Sequence, residues 1–286
     1  GFTSIIRYKF IVLIFSVFLA SFLPFIEVFA ATKTYESFIS TDLSKIEFLG
    51  TFPGGQFGSS IASGDFNGDG VDDLFVGSPF TSVHEMQWNG SVSIIFGGES
   101  DDRNELVYYG DNSGDQLGTA IASGDFNNDG FSDVAVSAYN ALSAKSNSSD
   151  KENRPGKVYI VYGWPVLDDQ PSTQSGTQTD SQLGSQAGSQ TNGQSDNQII
   201  SNKADRQLIG LYSGDNFGLA LEISDINNDD IDDLLVGAPQ ALTSNNGKAG
   251  AVYAYFGSDV SLSAEKNITF YGHHLGEKFG SSIASG

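Results

Sequence analysis

Asp65-Phe66-Asn67-Gly68-Asp69-Gly70-Val71-Asp72-Asp73 is written three times in this chain. It returns as Asp125-Phe126-Asn127-Asn128-Asp129-Gly130-Phe131-Ser132-Asp133 and as Asp225-Ile226-Asn227-Asn228-Asp229-Asp230-Ile231-Asp232-Asp233. Each copy places oxygen-bearing side chains at positions 1, 3, 5 and 9 and offers a peptide carbonyl at position 7. Such a donor set suits a hard divalent cation, calcium above all. The expected ligands are Asp65, Asn67, Asp69, Val71 and Asp73 in the first loop, and Asp125, Asn127, Asp129, Phe131 and Asp133 in the second. In the third they are Asp225, Asn227, Asp229, Ile231 and Asp233. That makes one Ca2+ per loop, three in all. Asp, Asn and Gly also favour metal-free turns, but identical ligand spacing in three copies argues against chance. Asp72 and Asp232 are expected to face solvent. Asp230 stands where the other loops have Gly70 and Gly130, at a position suited to left-handed backbone. An EF-hand needs an acidic ligand at position 12, where this chain has Val76, Val136 and Val236.

Each loop lies inside a longer repeat, and repeats decide architecture. A strand-like opener comes first: Lys45–Leu49, Glu105–Tyr109, Gln207–Leu211 and Asn267–Tyr271. An aromatic- or Leu-Gly segment then leads into the loop. A short apolar run follows: Leu74-Phe75-Val76, Val134-Ala135-Val136 and Leu234-Leu235-Val236. Last comes a glycine-led alternating segment: Gly90–Phe96, Gly156–Tyr162 and Gly250–Phe256. Four short strands per unit, punctuated by Gly, Asn, Asp and Ser, predict one antiparallel four-stranded sheet. The unbroken apolar runs predict strands covered on both faces. Radial stacking of repeated sheets into a β-propeller satisfies both. The expected fold class is all-β, a propeller of four-stranded antiparallel blades at about 45–97, 104–163 and 206–257, with the start of a fourth at 267–286.

Phe57-Gly58, Phe217-Gly218 and Phe279-Gly280, with Gly77-Ser78-Pro79 and Gly237-Ala238-Pro239 after the loops, resemble FG-GAP repeats. These are the blades of the seven-bladed propeller at the N-terminus of integrin α-subunits and of many bacterial surface proteins. The second copy departs, with Leu117-Gly118 and Ser137-Ala138-Tyr139 in place of the two namesake motifs. The resemblance implies a β-hairpin calcium loop closed by the acid at position 9. It also implies an extracellular, non-catalytic module for protein or glycan binding, or cell adhesion. The alternative is an accessory propeller of a secreted hydrolase or lyase whose catalytic domain lies in other sequence. Three units and a fragment fall short of seven, and the chain stops one residue before a fourth loop would begin. The protein is therefore expected to continue.

Charge and composition agree with an exported binding protein. The formal net charge is −21, from 35 acidic against 14 basic residues, and much of the excess sits in the loops, where it repels itself without a cation. No basic patch is present to displace counterions from nucleic acid, so nucleic acid is not an expected partner. Arg7 and Lys9, the apolar run Phe10–Ile26 and the small-residue site Val28-Phe29-Ala30 predict a signal peptide over 1–30. The alternative is an uncleaved membrane anchor. Either way the remainder is expected to be secreted or at the cell surface, with no membrane insertion of the mature domain 31–286. There is no cysteine, so disulfides cannot staple the fold and bound metal takes that role. A Ser/Gln/Gly-rich insertion over about 165–202 is expected to be a disordered loop at a blade boundary. No nucleophile with His and Asp partners can be picked out, and His84, His273 and His274 lack metal-ligand spacing. Tyr159, Tyr162, Tyr253 and Tyr255 are expected to pack, while Trp88 and Trp164 are the candidates for exposed contacts. Asn89, Asn147 and Asn267 fit the glycosylation pattern.

Overall fold

The computed structural model describes residues 48–83, 85–98, 105–142, 153–164, 199–243 and 247–285. The chain divides into two units, Gly1–Leu49 and Gly50–Gly286. Of the first only Phe48 and Leu49 are described, and neither lies in a strand. The architecture that follows is that of the second. The expected signal peptide, most of the opener at 45–49, His84, Asn147 and the body of the insertion (165–198) lie outside the described residues.

Among the described residues twelve strands form three four-stranded sheets. The first holds β1 (Ser60–Gly64), β2 (Asp73–Ser78), β3 (Ser91–Ile95) and β4 (Glu105–Tyr109). The second holds β5 (Ile121–Gly124), β6 (Asp133–Ala138), β7 (Lys157–Val161) and β8 (Arg206–Ile209). The third holds β9 (Ala220–Ser224), β10 (Asp233–Ala238), β11 (Ala251–Tyr255) and β12 (Ile268–Tyr271). All pairing within them is antiparallel and follows chain order. Among the described residues there is no α-helix, and no helix is long and apolar enough to cross a membrane. This is the all-β architecture of propeller blades.

The grouping of strands corrects the expected blade limits. Glu105–Tyr109, expected to open the second unit, pairs with β3 (Ser91↔Tyr109, Ile95↔Glu105) and closes the first sheet. The segments 207–211 and 267–271 likewise pair backward, as β8 with β7 and β12 with β11. The physical reason is locality: an antiparallel neighbour joined by one loop closes a hairpin, whereas the turn after each outer strand carries the chain across to the next sheet. The insertion is corrected with it. It joins β7 to β8 inside the second sheet, not at a blade boundary, and it ends before Ile199. Ile200–Asn202 is a 3₁₀ turn whose Ile200 is fully buried.

The apolar runs pack as predicted for strands covered on both faces. Val134, Val136, Tyr159 and Val161 point toward Phe75, Val92, Ile94 and Tyr108 of the first sheet. Their neighbours Ala135, Val158 and Ile160 point the other way, toward Leu234, Val236, Tyr253 and Tyr255 of the third. Period-two alternation thus builds a core on each side of the middle sheet. Beyond the third sheet, Leu235, Val252 and Ala254 form a smaller cluster against which Ile283 packs. Ile283 repeats the place of Ile121, consistent with the start of a further unit, although 279–285 is assigned no strand.

The namesake glycines meet one another. Gly58, Gly118 and Gly218 donate their N–H to the carbonyls of Gly77, Ser137 and Gly237 at 3.0, 2.9 and 2.9 Å, and all three adopt φ between +85 and +89. The second copy therefore makes the same turn despite Leu117 and Ser137. Gly77 must be glycine for another reason: a Cβ there would collide with the Gly118 carbonyl of the neighbouring sheet.

Candidate metal-binding hairpins

The three acidic loops are the hairpins β1–β2, β5–β6 and β9–β10, and their hydrogen bonding repeats nearly bond for bond. The position-1 carboxylate closes the tip. Asp65 accepts from Asp69 N–H (3.1 Å) and Gly70 N–H (2.9 Å), Asp125 from Asp129 (3.1 Å) and Gly130 (2.9 Å), Asp225 from Asp229 (3.1 Å) and Asp230 (2.9 Å). Position 3 then bonds position 5: the Nδ2 groups of Asn67, Asn127 and Asn227 donate to Asp69, Asp129 and Asp229 at 3.1, 2.8 and 3.0 Å. Position 5 accepts from the N–H of Val71, Phe131 and Ile231 at 2.8, 2.9 and 3.1 Å. Backbone shape explains the residue choice. Positions 4 and 6 are left-handed in every loop: Gly68, Asn128 and Asn228, then Gly70, Gly130 and Asp230.

Position 9 is the base of the hairpin. Asp73, Asp133 and Asp233 are each fully buried. One oxygen accepts from the N–H of Phe66, Phe126 or Ile226 at 3.0, 2.9 and 2.9 Å. The other accepts from Gly97, Gly163 or Gly257 at 2.8, 2.9 and 3.0 Å. Burial pushes these carboxyls up, against the pull of those N–H groups, and Asp133 reaches about 7. The carboxylates of Asp129 and Asp125 add to the rise at Asp133. Sequence reasoning did not assign Gly97, Gly163 and Gly257 to the site. Their signal was the glycine that recurs after the aromatic following each third strand.

Among the described residues no three His, Cys, Asp or Glu side chains are drawn together as a metal-ligand group. The acids are instead arranged as turn-closers, spread from the buried position 9 to the exposed position 5. The donor set still fits a hard cation. A carboxylate oxygen carries two lone pairs, so one that accepts an N–H can also face a metal.

Neighbouring hairpins are tied together. Asp232 accepts from Asp125 N–H at 2.9 Å, which corrects the expectation that it faces solvent; Asp72 is exposed as expected. Ser132 N–H donates to the Asp65 carbonyl at 2.8 Å, Trp164 N–H to the Phe66 carbonyl at 2.9 Å, and Ser258 N–H to the Phe126 carbonyl at 3.2 Å. Trp164 also stacks edge-on against Phe66 at 4.7 Å; it packs rather than offering an exposed contact. Trp88 is 54% exposed. Tyr159, Tyr253 and Tyr255 are buried and Tyr162 half-buried. The N–H groups of His273 and His274 both donate to Glu277. Asn89 is fully buried, its Nδ2 bonded to the Gly110 carbonyl, so the folded chain does not present it for glycosylation.

The comparisons with known proteins agree with this geometry. The FG-GAP repeat family model matches residues 57–95, 117–161 and 217–255. The chain is 40% identical over 127 residues to mouse integrin alpha-3, a match covering 42% of this chain and 11% of that protein. It is 32% identical over 140 residues to integrin alpha-5 of Xenopus laevis, covering 46% and 12%. It is 30% identical over 159 residues to human phosphatidylinositol-glycan-specific phospholipase D, covering 54% and 15%. The matched stretch is thus a small part of each relative's length. The chain carries three FG-GAP repeats, one in each four-stranded sheet, and over this stretch resembles the integrin α-subunit propeller.

Proposed function

We propose that the chain forms part of an extracellular, non-catalytic binding propeller, of the kind used in adhesion, whose three hairpins each hold one Ca2+. The observation that carries this is the bond-for-bond repetition of the loops with acids at positions 1, 5 and 9 and Asn at position 3. In the first loop Asp65, Asn67, Asp69 and Asp73 supply side-chain oxygens and Val71 a carbonyl. The corresponding five residues serve in the loops beginning at Asp125 and Asp225. Calcium takes six to eight oxygens, so a bidentate carboxylate or water completes the shell. A bound cation would oppose the burial, and the smaller like-charge repulsion from Asp129 and Asp125, that lift the Asp133 carboxyl. Support for an extracellular place comes from the export-type N-terminal sequence and the similarity to integrins. The partner is an extracellular protein or glycan.

Calcium titration by calorimetry tests the metal assignment. The expected stoichiometry is close to three, with Mg2+ much weaker, and Asp69→Ala, Asp129→Ala and Asp229→Ala each remove one site. Unchanged stoichiometry in all three variants would refute it.

The similarity to phosphatidylinositol-glycan-specific phospholipase D supports a second reading, an accessory propeller beside a catalytic domain. Reading the gene beyond this chain separates the two. A flanking hydrolase or lyase domain favours the second; further blades with a stalk or anchor favour the first.

A further inference from the structure

The three repeats serve as controls for one another at the end of the sheets opposite the acidic hairpins. There the loop before each third strand ends in Gly90, Gly156 or Gly250, all left-handed. Two residues earlier stand Trp88, Arg154 and Lys248. In the second sheet Arg154 serves the fold: it donates to the Asn140 carbonyl at 2.7 Å and to the Ser113 carbonyl at 2.9 Å, and lies 3.5 Å from the buried Asp115. Lys248 acts in the same sense on the Asp215 carboxylate. In the first sheet the acid is replaced by Gly55, the cation by Trp88, and Asn140 by Phe80. The structural ion pair has gone, and an aromatic pair has taken its place.

That pair is presented rather than packed away. Phe80 and Trp88 meet edge to face at 6.5 Å, and Trp88 is 54% exposed. Its backbone sits at φ +53, with Glu85 at +62 in the same loop. Left-handed geometry is an outlier for so bulky a residue. The loop is nonetheless held firmly. Trp88 N–H donates to Ser82 Oγ (2.9 Å), Gln116 N–H to the Trp88 carbonyl (3.1 Å), Gln87 N–H to Ser113 Oγ (3.2 Å), and Val83 N–H to the buried Asn89 (3.3 Å). A strained backbone fixed by its surroundings, holding a large ring toward water, has little freedom left to lose on binding.

We infer that Trp88, backed by Phe80, is a stacking platform for a neutral carbohydrate. The inference rests on the binding-propeller reading above and names a ligand class for it. The flat indole suits the apolar face of a sugar ring. Exposed Ser82, Gln87 and Ser113 stand beside it with the exposed acid Glu85 in the same loop, and a hydroxyl that accepts a loop N–H can still donate to a sugar oxygen. The net charge of −21 disfavours an acidic polymer, and the nearby Arg154 is already committed to Asn140, Ser113 and Asp115.

Affinity electrophoresis in native gels tests this, with calcium present and a glucan, a mannan, a galactan or the acidic polymer alginate cast in the gel. The expected result is retardation by at least one neutral polysaccharide and none by alginate. Trp88→Ala should weaken it by roughly tenfold or more, the usual cost of truncating an aromatic anchor, while Trp88→Tyr retains most of it. Melting curves with and without calcium, run on each protein, report separately on the propeller and its metal. If those curves stay normal and no neutral polysaccharide retards the protein, the platform is refuted and the binding-propeller reading stands with a protein partner. Equal retardation of Trp88→Ala, or retardation by alginate alone, also refutes it.

Discussion

Asp230 occupies position 6 of the third hairpin at φ +65, where Gly70 and Gly130 sit at +83 and +89. A β-carbon in that region costs about 1 kcal/mol, so Asp230→Gly is expected to raise stability by roughly 0.5–1 kcal/mol, read from the denaturant midpoint. Two other acids were silent in the sequence because only burial distinguishes them. Asp115 and Asp215 are buried, and burial pushes both carboxyls up to about 6, Asp115 despite Arg154 beside it. Between the unfolded value near 3.8 and the folded value near 6, the folded state holds the extra protons. Their contribution to stability therefore falls as pH rises through that window, by about 3 kcal/mol for each at most. Asp215→Asn should remove its share: the stability difference, variant minus parent, grows from pH 4 to pH 7. A difference independent of pH would contradict this. Asp232 was misjudged for a similar reason, since its partner, Asp125 N–H, is 107 residues away in sequence.

At the scale of elements, period and punctuation carried most of the information. Alternation in β7 and β11, the apolar runs of β6 and β10 and the glycine ahead of each third strand all lie where the repeat places them. The repeat alone could not say where one sheet ends, because a cyclic pattern has no marked beginning. Only pairing shows that β4, β8 and β12 close the sheets that precede them. Two element contacts are open to test. Gly77→Ala drives a methyl into the Gly118 carbonyl and is expected to cost about 1–3 kcal/mol. Ser137, at the equivalent place in the second repeat, carries a side chain whose β-carbon lies beside Gly218. Asp232→Ala removes the cap on Asp125 N–H that joins the third hairpin to the second. It should destabilise by about 1–2 kcal/mol and weaken calcium binding in the second loop, although Asp232 is not one of its ligands. The denaturant midpoint reads the first effect and calorimetric titration the second, and an unaltered second site would argue against coupling between hairpins.

For the whole molecule, three thin sheets share two cores between them, and no disulfide reinforces the stack because the chain has no cysteine. The chained hairpins run along one rim, from Asp65 and Phe66 through Ser132 and Asp125 to Asp232 and Ser258. A cation in each would join strand to strand at the points where like charges otherwise gather. Thermal unfolding in excess Ca2+ and in chelator measures that clamping. With free Ca2+ about a hundredfold above Kd, each filled site should add about 2.7 kcal/mol, or roughly 5–10 °C in Tm, and Asp-to-Ala changes at position 5 should abolish that gain loop by loop. Coincident unfolding curves with and without calcium would contradict it.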